Sequence, residues 1–413
     1  MSRPTSILFL TTVNLTANPR LYKETELALR NGFDVTVILF SLGNWGDDND
    51  RSLEERIPGA RLIRISALRR PFLPWLVSSL LQTCALALSR FLDVAAVNAA
   101  ATGKRYILLR HAVHALEGRF DWVIGHNPAA LHAAVVAARR FDARLGLDIE
   151  DYHPFETSDP VLSETTRRMM RDCLKQADYA SYASPLIREH SDRYAARPEG
   201  NGIEVLNYFP ADEFPVPPDA VEGPLRLVWF SQHIRPGRGL DLVLPGLSAH
   251  PEAVELHLYG QPDDAYVRHL TEGRPNVRVH GPLSQTELHR SLGRYDVGLA
   301  VDILSDRNRD IAVTNKILAF LQSGLFLAVT ETSAQRRLLG GFGGHGLLFP
   351  PDAEAFTRIL ASLIERKEMI RSERTVRHAA MSGHDWEAES VKLLTEWGRL
   401  LEGLPERGVN PSE

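Results

Sequence analysis

The stretch Thr314-Asn315-Lys316-Ile317-Leu318-Ala319-Phe320-Leu321-Gln322-Ser323-Gly324-Leu325-Phe326-Leu327-Ala328-Val329-Thr330 decides the fold. Ile317, Leu318, Phe320 and Leu321 recur at helical spacing and give residues 314–323 one apolar face, with Thr314 placed as the cap. Residues 326–330 form a short apolar run of strand length, the pattern of a buried strand.

The same alternation extends in both directions. Upstream, strands are predicted at Val297–Val301, Val277–His280, Leu256–Gly260 and Leu225–Phe230. Helices fall between them at Gln285–Gly293, Asp264–Glu272 and from Gly239. Downstream, Leu347–Phe349 reads as one more strand. The first half repeats the pattern, with strands at Ile7–Thr11, Val35–Phe40, Trp122–Gly125, Leu145–Ile149, Tyr179–Ala183 and Ile203–Leu206. An alanine-rich helix, Ala129–Arg140, lies between the third and fourth of these. Another starts at Asn18-Pro19, where Asn18 caps and proline takes the first helical position, at which a missing N–H is harmless.

Between the halves, Pro210, Pro215, Pro217, Pro218 and Pro224 interrupt regular structure, so residues 209–224 read as a linker. The expected fold class is therefore α/β, with two Rossmann-like doubly wound domains facing each other across a cleft. The first spans 1–208 and the second 225–385. A last helical segment from Trp386 is expected to pack back toward the first domain, ahead of a frayed tail from Pro405. Ligands of such folds gather at the carboxyl ends of the strands, which makes the cleft the expected site.

Composition narrows the function. With 44% apolar and 24% charged residues the chain reads as globular, and 413 residues exceed a single core. A formal charge of -5 argues against nucleic-acid binding. Cys84 and Cys173 form no CxxC pair and no disulfide framework, which favours a reducing, cytoplasmic setting. His111 and His114 lie one helical turn apart with no carboxylate or cysteine near them in sequence, so no metal site is expected. The N-terminal run Ser6–Thr11 reads as a strand rather than as a leader peptide.

Three places in the second half suit an anion. The loop Ser231-Gln232-His233-Ile234-Arg235-Pro236-Gly237-Arg238-Gly239-Leu240 follows a strand and opens a helix, so its N–H groups and Arg238 can meet phosphate oxygens; it also reads as an ordinary solvated turn. Lys316 stands in the first turn of its helix, where the macrodipole mildly disfavours a cation; it reads either as facing a bound anion or as an exposed lysine with its head in water. After the strand ending at Thr330, Thr332, Ser333 and Gln335 either hydrogen-bond a ligand or, for Thr332 or Ser333, cap a helix.

In this order, Arg238-Gly239-Leu240, Leu258-Tyr259-Gly260, Val277-Arg278-Val279-His280-Gly281-Pro282-Leu283, Tyr295-Asp296-Val297-Gly298-Leu299 and Asn315-Lys316-Ile317 with Gly324 resemble the donor half of GT-B glycosyltransferases of family 4. In the first half, Asn18-Pro19-Arg20 with Lys23-Glu24, the segment Gly32–Val37, Asp121–Pro128 and Asn207 are similar to the same enzymes. The resemblance implies a nucleotide-diphosphate sugar as donor, no cofactor and retention of configuration. The acceptor it implies is a glycan or lipid-linked molecule. It makes Arg238 and Lys316 the neutralisers of the diphosphate and places His126 against the transferred sugar. Gly239, Asn315, Asp310, Thr332 and Gln335 fall on the donor side, and Asn14, Arg20, Asp148 and Glu150 on the acceptor side.

One departure stands out. The family carries two glutamates with seven residues between them, the second holding the ribose; the corresponding positions here are Ile311 and Ala319. The chain is then either a divergent branch using other donor contacts, or a relative without catalysis; an epimerase or hydrolase of the same fold is a further alternative. Glu150 could bind acceptor hydroxyls, act as a base or cap the helix that follows.

Residues 71–89 carry no charge and follow Arg69-Arg70. A helix after Pro74 would be about 22 Å long, too short for a bilayer core of about 30 Å. Two readings remain: peripheral membrane contact through residues 69–90, or packing of Leu76, Val77, Leu80, Leu81, Cys84 and Leu88 on the first sheet.

Overall fold

The computed structural model describes residues 4–197, 201–219 and 221–402; the tail from Pro405 lies outside them. Among the described residues the strands form two parallel sheets. The first contains β1 (Ser6–Leu10), β2 (Asp34–Ser41), β3 (Arg61–Ser66), β4 (Trp122–His126), β5 (Arg144–Ile149), β6 (Tyr179–Tyr182) and β7 (Gly202–Glu204), in the order β3-β2-β1-β4-β5-β6-β7. The second contains β8 (Leu225–Ile234), β9 (Val254–Pro262), β10 (Val277–His280), β11 (Val297–Ala300), β12 (Phe326–Thr330) and β13 (Gly346–Phe349), in the order β10-β9-β8-β11-β12-β13.

The order reverses between β1 and β4 in one sheet and between β8 and β11 in the other. At such a switch point the flanking connections run to opposite sides and leave a crevice beyond the strand ends. Both sheets are built from apolar runs because helices cover parallel strands on both faces. Thus β1, β4 and β12 are buried along their whole length. Pro19, Pro128, Pro160 and Pro185 each open a helix, and Asn18, Asp159 and Ser184 cap three of these with their side chains.

The chain divides into two compact units, Met1–Val205 with Ser390–Glu413, and Leu206–Glu389. Residues 209–224, expected to be a linker, belong to the second unit. Phe209 and Phe214 are buried in its core, and the Phe209 carbonyl accepts from Gln322 Nε2 at 2.9 Å. Prolines fixed the backbone here, but the two aromatics decide where the segment lies. From Ser390 onward the last helix, Trp386–Glu402, belongs to the first unit, where Trp397 Nε1 donates to Tyr179 Oη at 2.8 Å.

The helix Phe72–Leu88 departs from one of its two readings. Ser78 and Ala85 face inward, while Val77, Leu80, Leu81, Cys84 and Leu88 are exposed and Leu76 is half-buried. Five of the six side chains expected on the sheet are thus exposed.

Candidate functional site

At the switch point of the first unit, β4 ends on His126, which pairs in register with Asp148 of β5. Arg20 and Glu24, one turn apart on the helix Pro19–Arg30, complete a cluster with no side-chain exposure. Arg20 lies 3.1 Å from Glu24 and 3.4 Å from Asp148, and donates to the Val205 carbonyl at 2.8 Å. His126 faces Glu24 through Nε2 at 3.4 Å and Asp148 through Nδ1 at 3.3 Å, ion-pair contacts long for hydrogen bonds. Ser181 Oγ donates to Asp148 at 2.5 Å.

Burial disfavours the imidazolium, but Glu24 and Asp148 outweigh it and hold His126 up at about 10. Burial would raise Asp148 too, yet Arg20, His126 and Ser181 pull it down to about 2. Two cations thus meet two carboxylates. The spacing of Glu24, His126 and Asp148 would also admit a metal ion. Arg20, with His126 when protonated, sets two positive charges against the two carboxylates.

His126 was expected against the sugar, but the structure buries it completely. Its ring lies between Glu24 and Asp148, at the carboxyl end of β4. Asn14 is likewise engaged: its amide donates to Asp47 at 3.0 Å and accepts from Ala17 N at 3.0 Å, bracing a loop. Glu150, half-buried at the end of β5, is pushed up to about 7 by burial and by Asp148, against Arg20 and His126.

Asn127 escaped the sequence reading. It sits at φ 72°, ψ 153°, a region that side chains avoid, with its Oδ1 accepting from Thr11 Oγ1 at 2.5 Å and Asn18 Nδ2 at 3.4 Å. Next to it opens a 320 Å³ pocket lined by Thr12, Gln82, Thr102, Lys104, Arg105 and Pro128, among others.

In the second unit the switch point gathers Arg238, Gly239 and Lys316. Gly239 has φ 83°, and a Cβ there would stand 3.2 Å from the Val301 carbonyl, so only glycine lets the loop approach β11. Lys316, 12% exposed, lies 3.6 Å from Asp302 and 5.3 Å from the Trp229 ring centroid. Burial lowers its pKa, and Arg238 and Arg309 lower it further against the pull of Asp302. Arg238 is half-buried and forms no hydrogen bond or ion pair with any described residue; burial, Arg235 and Arg309 depress it as well. Positive charge therefore exceeds negative around Asp302.

The remaining donor-side residues divide. Thr332 Oγ1 accepts from Gln335 N at 3.2 Å, so it is a helix cap. Both carboxylate oxygens of Asp310 accept from Ser333, at 2.8 Å each, tying down the same helix start. Gln335 is fully buried and donates to Asp302 at 3.3 Å. Asn315 is exposed. Thr314 sits at the cap position but its hydroxyl has no partner, so the first turn holding Lys316 has no side-chain cap. Ala319 and Ile311 are both buried, so these two positions are filled by apolar packing. Asp302 and Arg309 joined the site only through the fold.

No family model matches the chain, and no curated protein matches it. Solved structures match it over nearly its whole length. HepE of Anabaena in complex with UDP is 14% identical, with a TM-score of 0.66, covering 97% of this chain and 100% of its own. Sucrose-phosphate synthase of Thermosynechococcus elongatus is 13% identical with a TM-score of 0.66 and the same coverage. A Listeria monocytogenes protein described as a UDP-N-acetylglucosamine 2-epimerase is 13% identical with a TM-score of 0.58, covering 99% of this chain and 100% of its own. The chain has the GT-B fold. That fold serves transferases and an epimerase alike, so the choice between them rests on the sites.

Proposed function

We propose that the chain is a glycosyltransferase that moves a sugar from a nucleotide-diphosphate donor to a glycan or lipid-linked acceptor, in bacterial-type polysaccharide or lipopolysaccharide assembly. The observation that carries this is the excess of cations around Asp302 at the strand ends of the second unit. Cleavage of a nucleotide-sugar bond builds negative charge on the leaving diphosphate. Lys316, held by Asp302 in the first turn of an uncapped helix, and Arg238 would stabilise that charge without a metal. Their desolvation strengthens the attraction because less water screens it.

On the acceptor side, Glu150 is the residue suited to receive a hydroxyl. A carboxyl held near 7 can accept a hydrogen bond from it or take its proton. The Arg20–Glu24–His126–Asp148 network fixes the strand ends from which Glu150 and Asn127 project. Retention of configuration follows from the resemblance to family 4. A lipid-linked acceptor brings with it a peripheral contact with the inner face of the membrane through residues 69–90.

The test is a thermal shift with a panel of nucleotide sugars, repeated on Lys316→Ala and Arg238→Ala. We expect stabilisation of the wild type and its loss in both variants. A wild type indifferent to every nucleotide would sink the proposal, and binding that survives both substitutions would move the diphosphate elsewhere. The GT-B fold of the Listeria epimerase keeps epimerisation or hydrolysis as a second reading. Donor consumption without an added acceptor would favour it. The buried Ala319 and Ile311 supply the ground for a third, a non-catalytic partner, which donor binding without turnover would favour.

A further inference from the structure

The helix Phe72–Leu88 is turned the opposite way from a core-packing helix. Its inward residues are small: Ser78 and Ala85 are buried, and Ser89 follows them. Its outward residues are large. Phe72 is 57% exposed, Leu73 70%, Leu80 58%, and Val77, Leu81 and Leu88 about half. Leu73, Val77, Leu80, Leu81 and Leu88 recur at helical spacing, so they form one stripe. The stripe continues past the helix into Phe91 at 85%, with Leu92 and Val94. Contiguous apolar surface of this kind marks an interaction site.

Charge says what covers it. Residues 57–116 hold eight lysines and arginines and a single carboxylate, Asp93, in a chain whose formal charge is -5. Asp93 is itself paired with Arg171 at 3.0 Å. Exposed Arg69 and Arg70 stand before the helix, exposed Arg90 after it, and nothing charged lies between. Trp75 carries Arg69 at 5.1 Å and Lys104 at 4.9 Å from its ring centroid, an aromatic with its cations at one edge of the stripe.

We propose that this surface docks on an anionic lipid bilayer, with the apolar stripe in the headgroup region and Arg69, Arg70 and Arg90 against lipid phosphates. The inference deepens the membrane contact proposed above and rests on it, naming the surface and the lipid. A second copy of the chain is the poorer partner, because a two-fold contact would set the same cations against each other. Spanning is not at issue: no helix among the described residues is long and apolar enough to cross a membrane.

The test is co-sedimentation of the full chain with vesicles of phosphatidylcholine, alone or mixed with phosphatidylglycerol. Binding to the mixed vesicles is expected, falling as salt is added. Leu73→Glu/Leu80→Glu should reduce it about tenfold or more. Arg69→Ala/Arg70→Ala/Arg90→Ala should reduce it on the order of 100-fold. All these positions are exposed, and unchanged circular dichroism would show that the variants fold. Equal binding to both vesicle types, no binding at all, or leucine variants that bind like the wild type would each overturn the proposal. So would a concentration-dependent dimer that Leu73→Glu/Leu80→Glu abolishes, since the stripe would then belong to a second copy. Vesicle binding needs no nucleotide. A chain that transfers sugar yet ignores vesicles refutes only this inference, whereas one that binds vesicles but no nucleotide sugar refutes only the proposed transfer.

Discussion

The two switch points place charge in opposite ways. In the first unit Arg20 and His126 face Glu24 and Asp148, all without side-chain exposure, and the charges cancel. In the second unit Arg238, Arg309 and Lys316 surround Asp302, with Arg309 also meeting Asp306 at 3.2 Å, and positive charge remains. A balanced buried cluster is complete within the protein and holds its elements in register. An unbalanced one has charge to spare for an anion, which is what the proposed diphosphate site requires. On the proposed reading, the difference separates residues that shape a site from residues that bind in it.

The largest effect should come from breaking the balanced cluster. His126→Ala leaves two buried carboxylates with Arg20 alone, and losing one partner of a buried pair costs about 3–5 kcal/mol. Urea denaturation at neutral pH measures this. The pH dependence sharpens it. Because the folded state holds His126 up at about 10 from 6.5, its contribution is fully present below 6.5 and fades as pH rises through 10. The wild type should therefore lose stability over that alkaline range, and the variant should lack that loss. A variant as stable as the wild type would show that the cluster does not hold the strand ends.

Lys316→Ala probes the unbalanced side and should behave in the opposite sense. The ammonium is already strained by burial and by its cationic neighbours, so folding stability should hold or rise. Nucleotide affinity should fall by about 2 kcal/mol, roughly 30-fold. Calorimetric titration with UDP and parallel denaturation separate the two readouts. A variant that unfolds easily but binds normally would reverse the contrast between the sites.

The sequence carried this contrast only in part, for physical reasons. Parallel strands buried on both faces announce themselves as apolar runs, so β1, β4, β11 and β12 were legible. The strand β3 was not: Arg61 and Arg64 interrupt it because it is a half-exposed edge. Lys316 could be singled out because a cation in a first turn conflicts with the helix dipole, a local signal. Asp302 could not, since its meeting with Lys316 and Gln335 is made by the sheet order rather than by spacing. Hydrophobicity likewise flagged residues 71–89, but not which way the leucines turn. That depends on what the rest of the unit offers the helix, and it accommodates Ser78 and Ala85. The full burial of His126 was hidden for the same reason: Glu24 and Asp148 come from distant segments.

A smaller effect is expected where the balanced cluster meets its neighbour. Glu150 is raised to about 7 from 4.5, so its neutral form favours folding. That contribution is fully present below 4.5 and is lost as pH rises through 7. Glu150→Gln should remove this dependence and be more stable than the wild type above pH 7, as thermal melts across the range would show. If Glu150 also takes the acceptor proton, the same variant loses transfer while keeping donor binding. Equal pH profiles for both proteins would place Glu150 in water and weaken its assignment.

The smallest effect separates an ion-pair network from a metal site. If a divalent ion joined Glu24, His126 and Asp148, its removal would leave two buried carboxylates short of positive charge, and chelation would destabilise the protein strongly. An imidazole bound to a metal must also be neutral, so metal affinity would fall as the imidazole takes up a proton. Here Arg20 sits within 3.4 Å of both carboxylates, and Glu24 and Asp148 raise the pKa of His126, so in the absence of a metal the cluster can set two positive charges against two negative. EDTA should therefore leave the melting temperature unchanged, and added zinc should not raise it. A chelator-sensitive melt would hand the role of the second cation from His126 to a metal, and the first switch point would then need a ligand, as the second is proposed to.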